Sequence, residues 1–242
     1  MPKFRRRKIL KWTLLVIVAV LLLGVGYNLV FPDISRLKKE APKMTAFMKY
    51  RQQMSRKAGK NPGIAWTWMP LDKISPYLVQ AVVVSEDDKF WSHKGFDFEA
   101  IKTALGKDIR NKTWRYGGST ITQQLAKNLF LSPSKNPIRK IREVILTWRL
   151  ESILSKKRTL ELYLNVVEWG AGIFGAEAAS QRYYGKPASD LSPQEAAHLA
   201  VVLPSPRRYN PLSGSDYIED RAREVLDIMV KRGIVVPEEA EK

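Results

Sequence analysis

Residues 81–97 read AVVVSEDDKFWSHKGFD. An apolar run ends in three acids, Glu86, Asp87 and Asp88, and an aromatic pair, a histidine and a glycine follow. Upstream, Ser75-Pro76 offers an N-cap and a proline at the first helical position, so a helix is expected to run into the acids. If it continues past Ser85, Glu86 and Phe90 share a face at i,i+4. The apolar residues then set Glu86 at the edge of a core. There desolvation raises a carboxylate pKa and a nearby cation lowers it. A carboxylate so poised suits general-base work. A solvated helix end is the bland alternative. A metal site is a third, although Asp87 and Asp88 adjoin Glu86 and point elsewhere on a helix.

Outward from this stretch, residues 71–211 read as mainly helical. In GGSTITQQLAKNLF (117–130), Gly117-Gly118-Ser119 breaks the chain and then caps a helix. Thr120, Gln124 and Lys127 fall at i, i+4 and i+7, a polar stripe whose hydroxyl, amide and ammonium suit a sugar and a phosphate. The helix N-terminus itself attracts anions. Pro137 opens IRKIREVILTWRLESILS, with an apolar stripe at Ile138, Ile141, Ile145 and Trp148. On the same helix Arg139, Lys140 and Glu143 lie near one face. They form either a surface ion pair worth ~0.3–0.5 kcal/mol or a carboxylate beside a cationic cradle. Two carboxylates flanking a glycosidic bond are the usual equipment of glycosyl chemistry. Ser192-Pro193-Gln194-Glu195 fits a capping box, and DYIEDRAREVLDIMVKRGI is a last amphipathic helix. Strand signals are confined to IAWTW (64–68). The fold class expected is mainly α.

Composition narrows the chemistry. The 242 residues carry a net charge of +17, no cysteine and two histidines, His93 and His198. Disulfides and thiolate metal sites are excluded, and without H-E-x-x-H a zinc hydrolase is not expected. Six cations, Lys3, Arg5, Arg6, Arg7, Lys8 and Lys11, precede an uncharged run from Trp12 to Phe31. About 20 such residues span a bilayer core. The basic flank stays cytoplasmic, which puts the remainder across the membrane. A cleaved signal peptide is the alternative, but no A-x-A-like site follows the apolar run. The expected organisation is a basic segment at 1–11, a transmembrane helix at 12–31, a juxtamembrane neck at 32–70 and a catalytic domain at 71–242. Excess positive charge also suits nucleic acid, but the expected topology argues against that partner.

Five stretches, taken in order, resemble one known family: EDDKFWSHKGFD, GGSTITQQLAKN, RKIREVILTWRLE, KRTLELYLNVVEWGAGIFGAEAASQRYYGK and LSPQEAAHLAVVLPSPRRYNP. This is the lysozyme-like, moenomycin-sensitive glycosyltransferase domain that polymerises peptidoglycan from a lipid-linked precursor. The domain also stands at the front of bifunctional penicillin-binding proteins. The chain's length resembles the monofunctional, biosynthetic form. The resemblance covers roughly residues 81–211.

The resemblance implies roles. Glu86 matches the catalytic base and Glu143 the second essential carboxylate, on the donor side. Lys127, Arg139 and Lys140 match cations that hold pyrophosphate. Thr120, Gln123, Gln124 and Asn128 match positions that line the cleft, while Asp87, Phe90 and His93 shape the first motif. Asp88 takes no role from it, and the parts of Glu168 and Arg182 stay open. His198 is expected to be a packed helix residue. The implied partners are lipid II, the nascent glycan, the membrane, and division or elongation proteins. The implied location is the cell inner membrane, single-pass, with a periplasmic catalytic domain. No tightly bound cofactor and no metal site are expected; a divalent cation, magnesium or manganese, has room only as a stimulant. The segment 98–116, mixing apolar residues with cations, is a candidate lipid cradle. Two readings compete. A lytic glycan hydrolase does not need the Lys127, Arg139 and Lys140 cluster, and a non-enzymatic membrane-tethered scaffold does not need the polar cleft.

Overall fold

The computed structural model describes residues 3–60, 63–111, 118–133 and 137–236. In chain order the helices are α1 (Lys3–Val30), α2 (Ala46–Lys57), α3 (Pro76–Glu86), α4 (Phe98–Asn111), α5 (Ile121–Phe130), α6 (Pro137–Ile153), α7 (Lys156–Val166), α8 (Ala176–Tyr184), α9 (Pro193–Val202) and α10 (Asp216–Lys231). Among the described residues three short strands join them: β1 (Ala65–Trp66), β2 (Glu168–Gly170) and β3 (Ile173–Phe174). The mainly helical class is as expected.

The core forms where apolar helix faces meet. α3, α9 and α10 pack together, and α5 packs against α6, α7 and α2. Leu78, Val82, Leu125, Leu146, Leu150 and Leu160 are completely buried in one continuous cluster. Each such side chain contributes about 1.5–3 kcal/mol relative to exposure. Asn165 is buried too, and the structure spends its whole amide: Nδ2 donates to Met69 O and Glu161 O, and Oδ1 accepts from Met69 N–H. That exchange fastens the segment after β1 to the end of α7.

Several local expectations are corrected. α3 stops at Glu86, because Asp87 leaves helical geometry at φ −162°, ψ 73°. Glu86 and Phe90 therefore do not share a helical face, and Phe90 turns into the core. Ser75 precedes α3, but its hydroxyl donates to Leu191 O instead of capping the helix. The cap of α5 is Thr120, in a capping box with Gln123. Gly118 serves a close approach there, since a Cβ on it would lie 3.0 Å from Ile101 Cα. The capping box of α9 at Ser192 and Glu195 forms as expected. The sheet exceeds the single strand expected: β3 pairs parallel with β1 and antiparallel with β2.

The apolar stripe on α6 also faces an unexpected way. Ile138, Ile141 and Trp148 are exposed, with Val144 beside them, whereas Glu143, Leu146, Thr147 and Leu150 face inward onto the body of the protein. On α1, Leu10, Trp12, Leu14, Leu15 and Ile17 are exposed. Among the described residues, no helix is long and apolar enough to cross a membrane. The side chains at 3–9, 21–22, 25 and 28–30 of α1 lie outside that description. So do those at 104–105, 107–111 and all of 112–116 within the candidate lipid cradle.

The neck is fastened to the body. Ile34, Leu37 and Met48 are buried. Arg149 donates to Pro32 O at 2.9 Å, and Arg158 donates to Leu37 O and Glu40 O.

Candidate active site

Glu86 is the last residue of α3, half-buried where the helix ends. Its Oε2 accepts a 2.6 Å hydrogen bond from Nε2 of Gln124 on α5. Burial pushes the Glu86 carboxyl above the ordinary glutamate range; the Gln124 bond and the Lys127 charge oppose that rise, and Asp87 adds to it. A base that is desolvated yet still bonded has the environment general-base catalysis calls for.

The neighbouring acids go elsewhere. Asp87 is buried and accepts from His93 Nε2 at 2.8 Å and from Ile121 N–H at 2.9 Å. Burial raises its pKa, opposed by those same two bonds. His93 Nδ1 accepts from Gly95 N–H at 3.0 Å, so Nε2 carries the proton that it gives Asp87. Asp87 thus locks the first motif onto the N-terminus of α5. Phe90 is fully buried, and Lys156 Nζ sits 4.5 Å from its ring centroid. Asp88 is exposed and holds Arg232 of the segment after α10 through both oxygens, at 2.6 and 3.0 Å.

On α5 the polar stripe divides. Thr120 and Gln123 are buried in the capping box, with Thr120 Oγ1 also donating to Gly95 O at 2.7 Å. Gln124, Lys127 and Asn128 line a cavity of about 340 Å³ with Phe47, Arg51 and Arg207. Burial depresses the Lys127 ammonium, while the charges of Glu143 and Glu86 raise it and those of Arg139 and Lys140 depress it further. Lys127 therefore sits in the field of both proposed carboxylates. A second cavity, of about 440 Å³, is lined by Val84, Ser85, Glu86, Ala100, Ser119 and Thr120 among others. The Glu86–Gln124 bond joins a residue of one cavity to a residue of the other.

Glu143 is buried on α6. Its Oε2 accepts from Arg139 Nη1 at 2.9 Å and its Oε1 from Lys140 Nζ at 2.5 Å. With one partner four residues away and the other three, helical spacing alone brings both cations to the carboxylate. Lys140 remains half open to solvent.

Some contributors carry no local sequence signal. Arg51 of α2 binds buried Glu168 through Nε at 2.9 Å and Nη2 at 2.6 Å, across 117 residues, and both line the smaller cavity. Nothing in spacing could pair them. Tyr163 reads as core on α7, yet its hydroxyl donates to Gln124 Oε1 at 3.0 Å. His198 lies within α9 and bonds Gln194 O and Glu219.

The site defines a class: a helical protein with a desolvated carboxylate at a cleft and a second carboxylate held by cations, the equipment of glycosyl chemistry. The transglycosylase family model matches residues 54–230, and the chain belongs to that family. A biosynthetic peptidoglycan transglycosylase of Azoarcus sp. (strain BH72) is 51% identical over 179 residues, covering 74% of this chain and 78% of the relative. One of Herminiimonas arsenicoxydans is 46% identical over 222 residues, 91% of this chain and 94% of the relative. A third, of Nitrosospira multiformis, is 45% identical over 193 residues, 80% and 84% of the two chains.

Proposed function

We propose that this chain is a peptidoglycan glycosyltransferase of cell-wall synthesis that polymerises lipid II into linear glycan. The family match and the named relatives support the activity. The observation that carries the mechanism is Glu86: half-buried at the cleft, raised in pKa, and bonded through Gln124 to the cavity that holds Lys127.

In this reading the acceptor sugar lies in the larger cavity. Ionised Glu86 takes the proton of the N-acetylglucosamine 4-hydroxyl, whose oxygen attacks C1 of the N-acetylmuramic acid at the reducing end of the growing chain. Undecaprenyl diphosphate leaves and the α linkage becomes β. Charge develops on the diphosphate, and Lys127, Arg139 and Lys140 supply fixed positive charge for it. Glu143 holds the two α6 cations on the donor side. A divalent cation, magnesium or manganese, is assigned no more than a stimulatory part. Asn128 and Gln124 line the donor cavity. Asp87, His93, Thr120 and Gln123 hold the walls, and Phe90 packs behind them.

The substrate's lipid calls for a membrane-bound enzyme. The basic segment 1–11 is assigned to the cytoplasm, 12–31 to the bilayer, and 32–70 and 71–242 to the periplasmic face of the inner membrane. The exposed apolar residues of α1 and of the α6 stripe support this placement. Contact with division or elongation proteins follows as an expectation of such a site of action.

Incubation with fluorescent lipid II, with and without moenomycin, tests the reading. Moenomycin-sensitive glycan chains are expected. Release of fragments from finished peptidoglycan, with no polymer from lipid II, would favour the hydrolase instead.

A further inference from the structure

Tyr163 is a buried polar group behind the cleft. It is completely buried on α7, and its hydroxyl donates to Oε1 of Gln124, whose Nε2 donates to Glu86 Oε2. No other acceptor for that hydroxyl appears among the described residues. Burial and the charges of Glu86 and Asp87 hold the phenol well above its ordinary pKa, so it remains a donor throughout the working range.

This arrangement matters because an amide can turn over. Gln124 can present either its oxygen or its NH₂ to Glu86. When Glu86 is ionised, only the NH₂ is favourable. Once Glu86 has taken a proton it becomes a donor and would draw the amide oxygen toward itself. Turning the amide to meet it would place NH₂ against Tyr163 and leave the buried phenol hydrogen without an acceptor. An unpaired buried donor is costly. We infer that Tyr163 is a positioning residue that fixes the orientation of Gln124, so that Glu86 always faces a donor and readily returns to its ionised, base-competent form.

This inference rests on Glu86 being the base. Its test is the pH dependence of kcat/KM for lipid II polymerisation by the full chain in detergent. Tyr163→Phe keeps the ring in the core and removes only the hydroxyl. The acid limb should move upward by about one pH unit, the scale of one hydrogen bond to a charged group. The deficit should approach tenfold at low pH and vanish on the alkaline plateau. In a Gln124→Ala background, the same substitution should shift nothing further, because the two act in series. An equal deficit at every pH, or an unmoved limb, would overturn the assignment and leave Tyr163 a packing residue. A limb that still moves in the Gln124→Ala background would also overturn it. Wild-type activity of Glu86→Gln would instead sink the base reading on which it stands, so the two failures are distinguishable.

Discussion

Replacing Glu86 by glutamine removes one ionisable proton acceptor and almost no volume. General-base assistance contributes about 10²–10⁴ in rate, equivalent to about 2.7–5.4 kcal/mol of barrier. The structure favours the upper half of that range, because the described carboxylates near Glu86 are engaged elsewhere, Asp97 with Ala100 N–H and Glu99 with Lys89 among them. Asp87 is committed to His93 and Ile121 N–H, Asp88 to Arg232, and Glu143 to Arg139 and Lys140. Polymerisation of fluorescent lipid II should therefore fall at least about a thousandfold.

Stability should move the other way or not at all. Burial raises the folded pKa of Glu86, so its ionised form costs stability above that pKa. The cost is relieved as pH falls through the folded value and is gone below the unfolded glutamate value of about 4.3. A glutamine carries no such cost, and it can still accept from Gln124. At pH 7 the thermal midpoint of Glu86→Gln should equal or exceed that of the parent, and any advantage should fade toward pH 4. The parent's own activity should have an acid limb above the ordinary glutamate range. Residual activity above a tenth of the parent's would refute the base assignment. A lower thermal midpoint at pH 7 would refute the account of Glu86 as a desolvated, strained group.

Arg51→Ala leaves Glu168 buried without its cation, a change that typically costs about 3–5 kcal/mol; Glu168→Gln in the same chain should recover part of the lost thermal midpoint, and an unshifted midpoint in the single variant would show the pair to be idle. Gly95→Ala puts a side chain at φ +87° with its Cβ 2.7 Å from Glu151 Cγ, so a loss of at least about 1–3 kcal/mol is expected by chemical denaturation. Asp88→Asn breaks only an exposed pair and should change stability by less than about 1 kcal/mol, so a larger loss would mean that the contact with Arg232 holds the fold. Lys140→Ala should lower kcat/KM for lipid II by ten- to a hundredfold if its charge faces the diphosphate; unchanged kinetics would undo that assignment.

Much of the site was legible because its contacts are local. Arg139, Lys140 and Glu143 meet through helical spacing, and the Ser192 cap follows from residue type and a three-residue offset, whereas the α5 cap fell at Thr120, one residue beyond the expected break. The α6 stripe shows where local reading fails. Periodicity reported an apolar face but not which way it points, and the core took the other face, with Glu143 on it. The end of α3 failed similarly. Nothing in SEDDKF says that Asp87 will leave the helix, because the groups that draw it out, His93 and Ile121 N–H, arrive through a turn and a helix start 34 residues on.

From its amino acids alone, then, this protein was read as mainly helical and strongly basic, with a charge-free run near its start, and Glu86, Glu143 and the cations near them stood out as candidates for its chemistry. Those properties depend on residue type and short spacing, which a linear chain displays directly. Tertiary structure decided what each group faces. It separated three consecutive acids into a cleft carboxylate, a buried lock and a surface clamp. It paired Arg51 with Glu168, and it set Tyr163 behind Gln124. The physical reason is that desolvation and hydrogen-bond partnership arise only when distant segments pack, and these two terms set a carboxylate's pKa.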